Sequence, residues 1–201
     1  VPMAENARLL TLARDLRRRK ARERQGLFVA EGVRAVEELL RAAGDGQLAV
    51  RGALAGPALE GTPRGEALRA ALEARALPVL TVGEREFDSA ADTEAPQGIL
   101  AIAETPQRPI RFLADRLTAA RPGVEARLVV LDGVQDPGNA GTILRAAAGL
   151  GACGVVALPG TVDLWSAKVV RGAMGAHFHL PTWPMTPDVL LPLLAEAGAP
   201  L

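Results

Sequence analysis

An α/β fold built of two units is what the sequence predicts, and three patterns point to it. Hydrophobic residues make up 49% of the 201 residues, which is too many for a disordered chain. Short apolar runs alternate with longer segments of helical spacing, as in α/β proteins. The pattern lapses in the middle of the chain, where prolines accumulate. We therefore predict a first domain at 1–104, a linker at 105–126 and a second domain at 127–201.

The first domain opens with a predicted helix over 5–20, because its leucines recur at helical spacing. After it, short apolar runs predict strands, and segments rich in Ala, Leu, Glu and Arg predict helices. In chain order these elements are a strand at 26–30, a helix from Glu31-Gly32 to Gly44, a strand at 48–55, a helix around 64–76, and strands at 78–82 and 98–103. A short helix at 110–119 is predicted inside the linker.

The second domain begins with an apolar strand at 128–131, of the kind found in parallel sheets. A loop, a helix at 140–150 and a second strand at 154–158 complete a βαβ unit. Ligands of such units bind beyond the carboxyl ends of the strands. The remaining predicted elements are a helix near 165–174, a strand near 176–180 and a helix near 188–197.

Basic residues are concentrated near the start of the chain, although the formal net charge is zero. Residues 14–24 carry seven basic and two acidic side chains, a net charge of +5. Clustered arginines suit the phosphates of nucleic acids or anionic lipid head groups, whereas a solvated helix face with Arg–Asp and Arg–Glu pairs is equally open. On one continuous helix, Arg14, Arg17 or Arg18, and Arg22 would share a face. The candidate phosphate-binding residues are Arg14, Arg17, Arg18, Arg19, Lys20, Arg22 and Arg24.

Composition excludes several functional classes. The single cysteine, Cys153, excludes a disulfide framework and a zinc site with several cysteines, and we interpret it as a small buried hydrophobe. His177 and His179 would alternate on one strand face, but without a third ligand they do not predict a metal. Trp165 and Trp183 are interpreted as core or interface anchors. No apolar run reaches the roughly 18–20 residues of a membrane helix and no signal-peptide pattern is found, so we expect a cytoplasmic protein without a membrane partner.

The loop and helix at 131–151 carry the most information. The segment lacks the Lys-Ser/Thr pair of a Walker loop and the spacing of a dinucleotide-binding glycine motif. A glycine-rich turn leads into a helix with Asn139 at or near its N-cap, where free N–H groups favour an anion or a ligand oxygen. Arg145 follows on a stripe of small residues that includes Gly141. The predicted apolar face of this helix consists of Ala140, Ile143, Leu144, Ala147 and Leu150.

Two interpretations of this helix stay open on physical grounds. The small residues around Arg145 would let a nucleic-acid or protein backbone approach closely, with the guanidinium beside it. Alternatively, Asn139 only caps the helix and Arg145 is a surface charge.

The sequence at 128–158 resembles the first signature motif of the SpoU/TrmH family of RNA ribose 2′-O-methyltransferases, which belongs to the SPOUT superfamily. That motif is a hydrophobic strand, then D-x-x-x-D-P-x-N-x-G, then an apolar residue two positions before an Arg. The matching residues are Asp132, Asp136, Pro137, Asn139, Gly141, Ile143 and Arg145.

The resemblance extends over nearly the whole chain. Residues 16–40, with Glu31-Gly32, resemble the N-terminal substrate-binding domain of the family, which binds RNA. Residues 166–181 resemble the segment that follows the first motif, although Ala173 stands where the family often has Ser. The matching positions there are Lys168, Arg171, Gly175 and Pro181.

The resemblance implies a fold, a reaction and partners. It implies a small α/β RNA-binding domain, then a parallel-sheet SPOUT domain of the trefoil-knot type that forms a homodimer. The cofactor would be S-adenosylmethionine, and the substrate would be RNA, with ribosomal RNA expected before transfer RNA. Arg145 would activate the ribose hydroxyl and Asn139 would support the site, and the basic run would bind RNA.

Two later family motifs, a Gly-Glu-Gly loop and a Ser-Leu-Asn segment, do not occur in the sequence. We therefore expect only the first part of the SPOUT domain here, without the knot region. The cofactor-binding residues would lie beyond Leu201, and the chain alone would be inactive.

The chemical role of Arg145 and the class of the protein leave alternatives. A guanidinium stays protonated above pH of about 12, so electrostatic stabilisation by Arg145 is favoured over general-base catalysis. A non-catalytic RNA-binding protein with a methyltransferase-like half is the main alternative function. A nucleotide-binding oxidoreductase is disfavoured, because the acidic ribose ligand expected about 20 residues after a glycine fingerprint is missing.

Overall fold

Two β-sheets organise the chain, as the sequence predicts. The computed structural model describes residues 3–46, 48–118 and 126–198. The first sheet consists of strands Leu27–Glu31 (β1), Val50–Ala55 (β2), Val79–Thr81 (β3) and Ile99–Glu104 (β4) in the order β1-β4-β2-β3. The second sheet consists of Leu128–Leu131 (β5), Gly154–Ala157 (β6) and Thr182–Pro184 (β7), all parallel, in the order β5-β6-β7.

The first sheet is mixed and is buried on both faces. Its helices are Met3–Asp15 (α1), Arg19–Gln25 (α2), Val33–Gly44 (α3), Pro63–Glu73 (α4) and Glu84–Ala90 (α5). Strand β4 is antiparallel to β1 and β2, and β2 is parallel to β3. Alternate residues of β4 enter two separate cores, Ala101 beneath α3 and α4, and Leu100 beneath α1 and α5. Burial on both faces explains why this strand is a continuous apolar run.

The predicted continuous helix over 5–20 is wrong at residues 16–18, where the chain turns between two helices. Helix α1 ends at Asp15, and the chain turns at Arg18, which is extended (φ −91°, ψ 130°), before α2 begins. The turn is held by Arg22, whose Nη1 donates to the carbonyl oxygens of Leu16 (2.7 Å) and Arg17 (2.9 Å). The seven basic residues therefore do not share one continuous helix face.

Helix α5 is missing from the sequence prediction, although it has a clear local signal. Gly83 precedes two acidic residues of the first turn, Glu84 and Glu86, and Gly83 N–H donates to the Glu86 carboxylate. Phe87 and Ala90 follow at helical spacing, and both are buried. Acidic side chains near a helix N-terminus are favourable because they oppose the positive end of the helix dipole.

The second sheet is covered by helices that the sequence predicts in part. They are Ile110–Thr118 (α6), Pro137–Gly149 (α7), Ala167–Ala173 (α8), Ala176–His179 (α9) and Pro187–Glu196 (α10). Helix α6 falls inside the predicted linker, but it packs on the second sheet, because Leu113 and Leu117 join the core around Val156 and Trp183. The rest of the predicted linker, at 119–125, lies outside the described residues.

The predicted strand near 176–180 is wrong. Gly175 (φ +92°) starts the short helix α9, and the sheet strand β7 comes after it, where Thr182 pairs with Val155. His177 and His179 consequently do not share a strand face. His177 is buried and His179 is exposed.

Helices α7 and α8 touch through glycine. A Cβ atom added to Gly141 would lie 2.7 Å from the carbonyl carbon of Gly172, so only glycine fits this contact. Gly141 is thus buried rather than part of an open stripe around Arg145. Leu150 is also not on the apolar face, because α7 ends at Gly149 and the Leu150 side chain is 72% exposed.

The two sheets are joined by a packed interface. Val170 and Phe178 of the second unit enter the core of the first unit, where the rings of Phe28 and Trp165 lie 4.6 Å apart. Arg22 Nη2 lies 2.5 Å from Asp163 Oδ2, and both side chains are largely buried. The described part of the chain therefore behaves as one packed body with charged pairs inside the interface.

His177 lies within this interface and is uncharged at neutral pH. Its ring packs edge-on against Trp165 at 4.8 Å between centroids. Burial lowers the pKa of His177 to about 4, although the Leu164 backbone and the Asp163 carboxylate favour the protonated ring. No helix in the described ranges is long and apolar enough to cross a bilayer.

Replacing Gly141 with Ala should destabilise the fold. The new Cβ forces α7 and α8 apart, so the free energy of unfolding should fall by about 1–3 kcal/mol in urea titrations. Gly149→Ala is the matched control on the same helix, because nothing lies within 4 Å of its Cβ position. This control should leave stability unchanged or raise it by about 0.5–1 kcal/mol. Equal stabilities of the two variants would contradict the close contact.

Acidification should weaken the fold through His177. Because the folded-state pKa is depressed, the unfolded chain binds the proton first as pH falls below about 6.5. The free energy of unfolding should therefore decrease by up to about 3 kcal/mol as the pH falls from roughly 6.5 to 4. Above about pH 6.5 His177 is uncharged in both states, so its full contribution to stability is present. Thermal unfolding of His177→Gln should lose this pH dependence. His179→Gln, at an exposed site, should keep it.

Candidate functional site

The motif loop, residues 132–136, turns the chain from β5 into α7. Gly133 adopts the left-handed conformation (φ +64°), which favours glycine at this turn. Asp136 is the N-cap of α7, and its Oδ1 accepts a hydrogen bond of 2.7 Å from Asn139 N–H. Pro137 occupies the first helical position, where a missing N–H costs nothing.

Asn139 is therefore not the cap residue, which corrects the simplest interpretation of the sequence. It is the third residue of α7, and only its backbone N–H serves the cap. Its side chain is exposed at the carboxyl edge of the second sheet. The side-chain amide is consequently accessible from solvent.

Arg145 extends from α7 into solvent and contacts α8. It lies six residues after Asn139, about 9 Å further along the helix axis. Its Nη1 approaches Met174 Sδ at 2.8 Å. Met174 caps the end of α8 in the left-handed conformation (φ 51°), which is unusual for a residue other than glycine. Arg145 and Asn139 thus share a helix, and Arg145 is oriented by a neighbouring one.

The loop after β6 is bound to the motif loop. Val162 N–H donates to Val134 O at 2.9 Å, and Thr161 Oγ1 donates to Leu131 O at 3.0 Å. Thr161 is buried, so this hydroxyl is a structural link rather than a surface group. Together the two loops form a fixed rim along the carboxyl ends of β5 and β6.

The segment after the first motif contributes contacts to the first unit. Gly175 packs so closely against Glu38 that a Cβ would lie 2.8 Å from Glu38 Cγ. Arg171 Nη1 lies 3.9 Å from Glu31 Oε2. Lys168 is exposed, and Pro181 stands between α9 and β7.

Glu31 has a structural role that the sequence did not reveal. Its side chain is 1% exposed and accepts hydrogen bonds from the N–H groups of Asp92 (2.8 Å) and Thr93 (3.3 Å). The carboxylate is thus hydrogen-bonded within the first unit, and Arg171 adds a longer electrostatic contact from the second unit. The pairing joins positions 140 residues apart, and no local pattern signals it.

The basic run splits into exposed and buried residues. Asp15 binds both Arg18 and Arg24, and Glu23 binds Arg19 at 2.7 Å, so the solvated-face interpretation is realised in part. Hydrogen bonding to Glu23 raises the pKa of Arg19. The exposed members are Arg14, Arg17, Arg18, Arg19, Lys20 and Arg24. They outnumber the two acidic side chains of the run, so the surface stays positive.

Arg22 does not belong to this surface. It is 8% exposed, and its guanidinium binds Asp163 through Nε (2.8 Å) and Nη2 (2.5 Å). Nη1 is engaged by the backbone at the end of α1. Every part of the fork is therefore used inside the protein, and Arg22 is removed from the phosphate-binding candidates.

The remaining candidates have structural environments. Cys153 is buried, which confirms the predicted small buried side chain, and burial raises the pKa of its thiol. Trp183 is buried and donates from Nε1 to Arg108 O at 3.0 Å. Within residues 3–46, 48–118 and 126–198, no three His, Cys, Asp or Glu side chains gather as a metal site would need.

Comparisons with known proteins agree with this geometry. Residues 10–101 match the MRM3-like substrate binding domain, and residues 126–198 match the SpoU rRNA Methylase family. A solved structure named RNA 2′-O ribose methyltransferase is 30% identical and superimposes with a TM-score of 0.72. The match covers 96% of this chain and 68% of that one. The chain belongs to the SpoU rRNA methylase family.

Other relatives of this SpoU methylase chain are longer. The human mitochondrial rRNA methyltransferase 3 is 32% identical over 193 residues, which are 92% of this chain and 42% of the human protein. The AdoMet-bound rRNA methyltransferase from Sinorhizobium meliloti is 28% identical and superimposes with a TM-score of 0.73. The match covers 94% of this chain and 66% of the Sinorhizobium chain. The chain thus spans less than half of the curated human relative and two thirds of the solved bacterial one.

The motif loop of this SpoU methylase chain is open to solvent on the side of its polar residues. Asp132, Asp136 and Asn139 are exposed, and a Cβ atom added to Gly133 would have no neighbouring atom within 4 Å. Buried polar atoms without a hydrogen-bond partner, such as Ser166 Oγ and Arg171 Nη1, lie at the interface between the units instead.

Proposed function

We propose that the protein carrying this chain is an S-adenosylmethionine-dependent RNA 2′-O-ribose methyltransferase that acts on ribosomal RNA. The observation that carries the proposal is the motif loop and α7, with Asn139 and Arg145 exposed on a parallel βαβ unit. This unit is packed directly on a domain of the MRM3-like substrate-binding type. The names of the relatives favour ribosomal over transfer RNA as substrate.

In this proposal Arg145 acts on the RNA by charge. A guanidinium remains protonated at any physiological pH, so it binds the phosphate next to the target ribose and stabilises negative charge that develops on the 2′-oxygen. The contact between Arg145 Nη1 and Met174 Sδ orients the guanidinium and leaves Nε and Nη2 free to bind a phosphate. Asn139 offers an amide that donates and accepts, which suits a ribose hydroxyl.

The cofactor and the assembly belong to the same proposal. S-adenosylmethionine supplies the methyl group when bound, and no metal takes part. A trefoil knot and a homodimer are what the family resemblance implies for the complete catalytic domain. A cytoplasmic location fits ribosomal RNA as the substrate, and subcellular fractionation tests it.

Arg145→Ala should reduce methyl transfer by about 100-fold or more without changing the fold, because it removes a preorganised cation. Arg145→Lys should also be strongly impaired, since an ammonium cannot replace the guanidinium fork. The assay follows tritium from labelled S-adenosylmethionine into ribosomal RNA, using the protein as encoded in full. Nuclease digestion then identifies the labelled nucleoside.

Two results would contradict the proposal. Label in a base rather than a ribose would exclude 2′-O-methylation, and no label with any ribosomal RNA would favour the non-catalytic alternative. Arg111→Ala, which removes an exposed charge from α6, is the matched control and should keep wild-type activity.

Neutralising the exposed basic residues should weaken RNA binding regardless of sequence. In the triple variant Arg18→Gln, Lys20→Gln, Arg24→Gln, three phosphate contacts are lost. The negative slope of log affinity against log salt concentration should then become less steep by about 2. Filter binding at several salt concentrations measures both quantities.

The matched control neutralises Arg34, Arg75 and Arg85, which are exposed elsewhere in the same domain. This control should bind RNA as the wild type does. If the two triple variants show the same salt dependence, the prediction that the basic run binds RNA is wrong.

A further inference from the structure

A cleft of about 660 Å³ lies between the two units. On one side are α2 and residues 105–108, and on the other are the loops that follow β6 and β7. The cleft thus opens at the carboxyl ends of parallel strands, where α/β proteins bind their ligands. Its volume is in the range of sites for small organic ligands, about 300–1,000 Å³. Neither Asn139 nor Arg145 lines it.

The charges that line the cleft leave a positive surplus. Arg22 is neutralised by Asp163, and Arg19 is paired with Glu23 through Nε only. Arg108 has no carboxylate partner among the described residues, and its guanidinium lies over the Phe112 ring at 5.2 Å. The terminal nitrogens of Arg19 and the whole fork of Arg108 are therefore available to an anion.

The interior of the cleft offers an apolar wall. Trp165 is partly exposed there, and the protein side of its ring contacts Phe28 and His177. Pro159 and Met185 also line the space. An anion site beside an apolar wall suits a phosphate joined to a flat ring, which is the chemistry of a nucleotide.

The cleft is also next to the motif loop. Residues 158–162 line the cleft. Within this loop, Val162 N–H donates to the motif loop at Val134 O, and the Thr161 hydroxyl donates to the end of β5 at Leu131 O. A strand of RNA bound in the cleft would therefore lie beside the rim from which α7 begins. A duplex does not fit, because its bases are stacked inside the helix and are not free to enter.

We propose that this cleft binds one unpaired nucleotide of the RNA substrate, adjacent to the nucleotide at the motif loop. Its phosphate lies against Arg19 and Arg108, and its base lies beside Trp165. The inference rests on the proposed function and adds to it a second, separate subsite that requires single-stranded RNA.

Tryptophan fluorescence tests the subsite directly, because both tryptophans of the chain line the cleft. Single-stranded oligouridylate should quench the fluorescence saturably, and a duplex of the same length should quench it far less. The double variant Arg19→Ala, Arg108→Ala should raise the Kd for oligouridylate by about tenfold or more, since two phosphate contacts are lost. The Arg108 carbonyl that accepts from Trp183 is kept in this variant.

The control is the double variant Arg69→Ala, Arg111→Ala. Arg69 forms an i,i+4 pair with Glu73, as Arg19 does with Glu23, and neither control residue lines the cleft. The control should match the wild type in Kd. Gln107→Trp, which fills the cleft from an exposed lining position, should reduce filter-bound oligouridylate without lowering Tm.

Equal Kd values for the cleft variant and the control would overturn the subsite, as would equal quenching by single-stranded and duplex RNA. The methylation assay keeps this result separate from the proposed function. If the cleft variant still methylates ribose with an unchanged KM for RNA, the subsite proposal is rejected and the proposed function stands. If the wild-type protein does not methylate RNA, the proposed function is rejected.

Discussion

The ion pair between Arg22 and Asp163 joins the two units inside their packed interface. It is largely buried, and its Arg22 partner also closes the end of α1, so one guanidinium fixes a helix break and a domain interface together. Taking two charges out of water is costly, and the cost is offset only when all hydrogen-bonding groups are satisfied. Removing either partner would leave a buried charge unpaired, which costs about 3–5 kcal/mol.

The same pair shapes the functional surface. Both of its partners line the cleft between the units, where Arg19 of α2 lies opposite the loops of the second sheet. The glutamate at the end of β1 adds a second charged contact through Arg171. The exposed basic residues near α2 and the motif loop are therefore carried by one packed body.

Much of the fold could be predicted because burial on both faces produces continuous apolar runs. Strands β1, β2, β4, β5 and β6 follow from such runs, and the motif loop was located by its glycines, proline and helix spacing. The failures have physical causes. The break after Asp15 depends on Arg22, whose partner Asp163 is 141 residues away. The alternating histidines suggested a strand, but Gly175 and the burial of both His177 and Phe178 produce a helical turn.

The candidate site was predictable in chemistry but not in geometry. Sequence identified Asn139 and Arg145, yet it could not show that Asp136 takes the cap and leaves the Asn139 amide free. It also placed Gly141 on an open stripe, whereas the structure buries it against Gly172. Both features depend on where α8 packs, which is a long-range outcome.

The contact between Gly141 and Gly172 has a mechanical consequence. Two helices that meet backbone to backbone have no side chains between them that could change rotamer and absorb a displacement. Helices α7 and α8 therefore pack as one rigid pair, which carries Arg145 on the first helix and Arg171 on the second. Because Arg171 also lies 3.9 Å from Glu31 of the first unit, the helix pair links the helix of Arg145 to the first sheet through a continuous series of contacts.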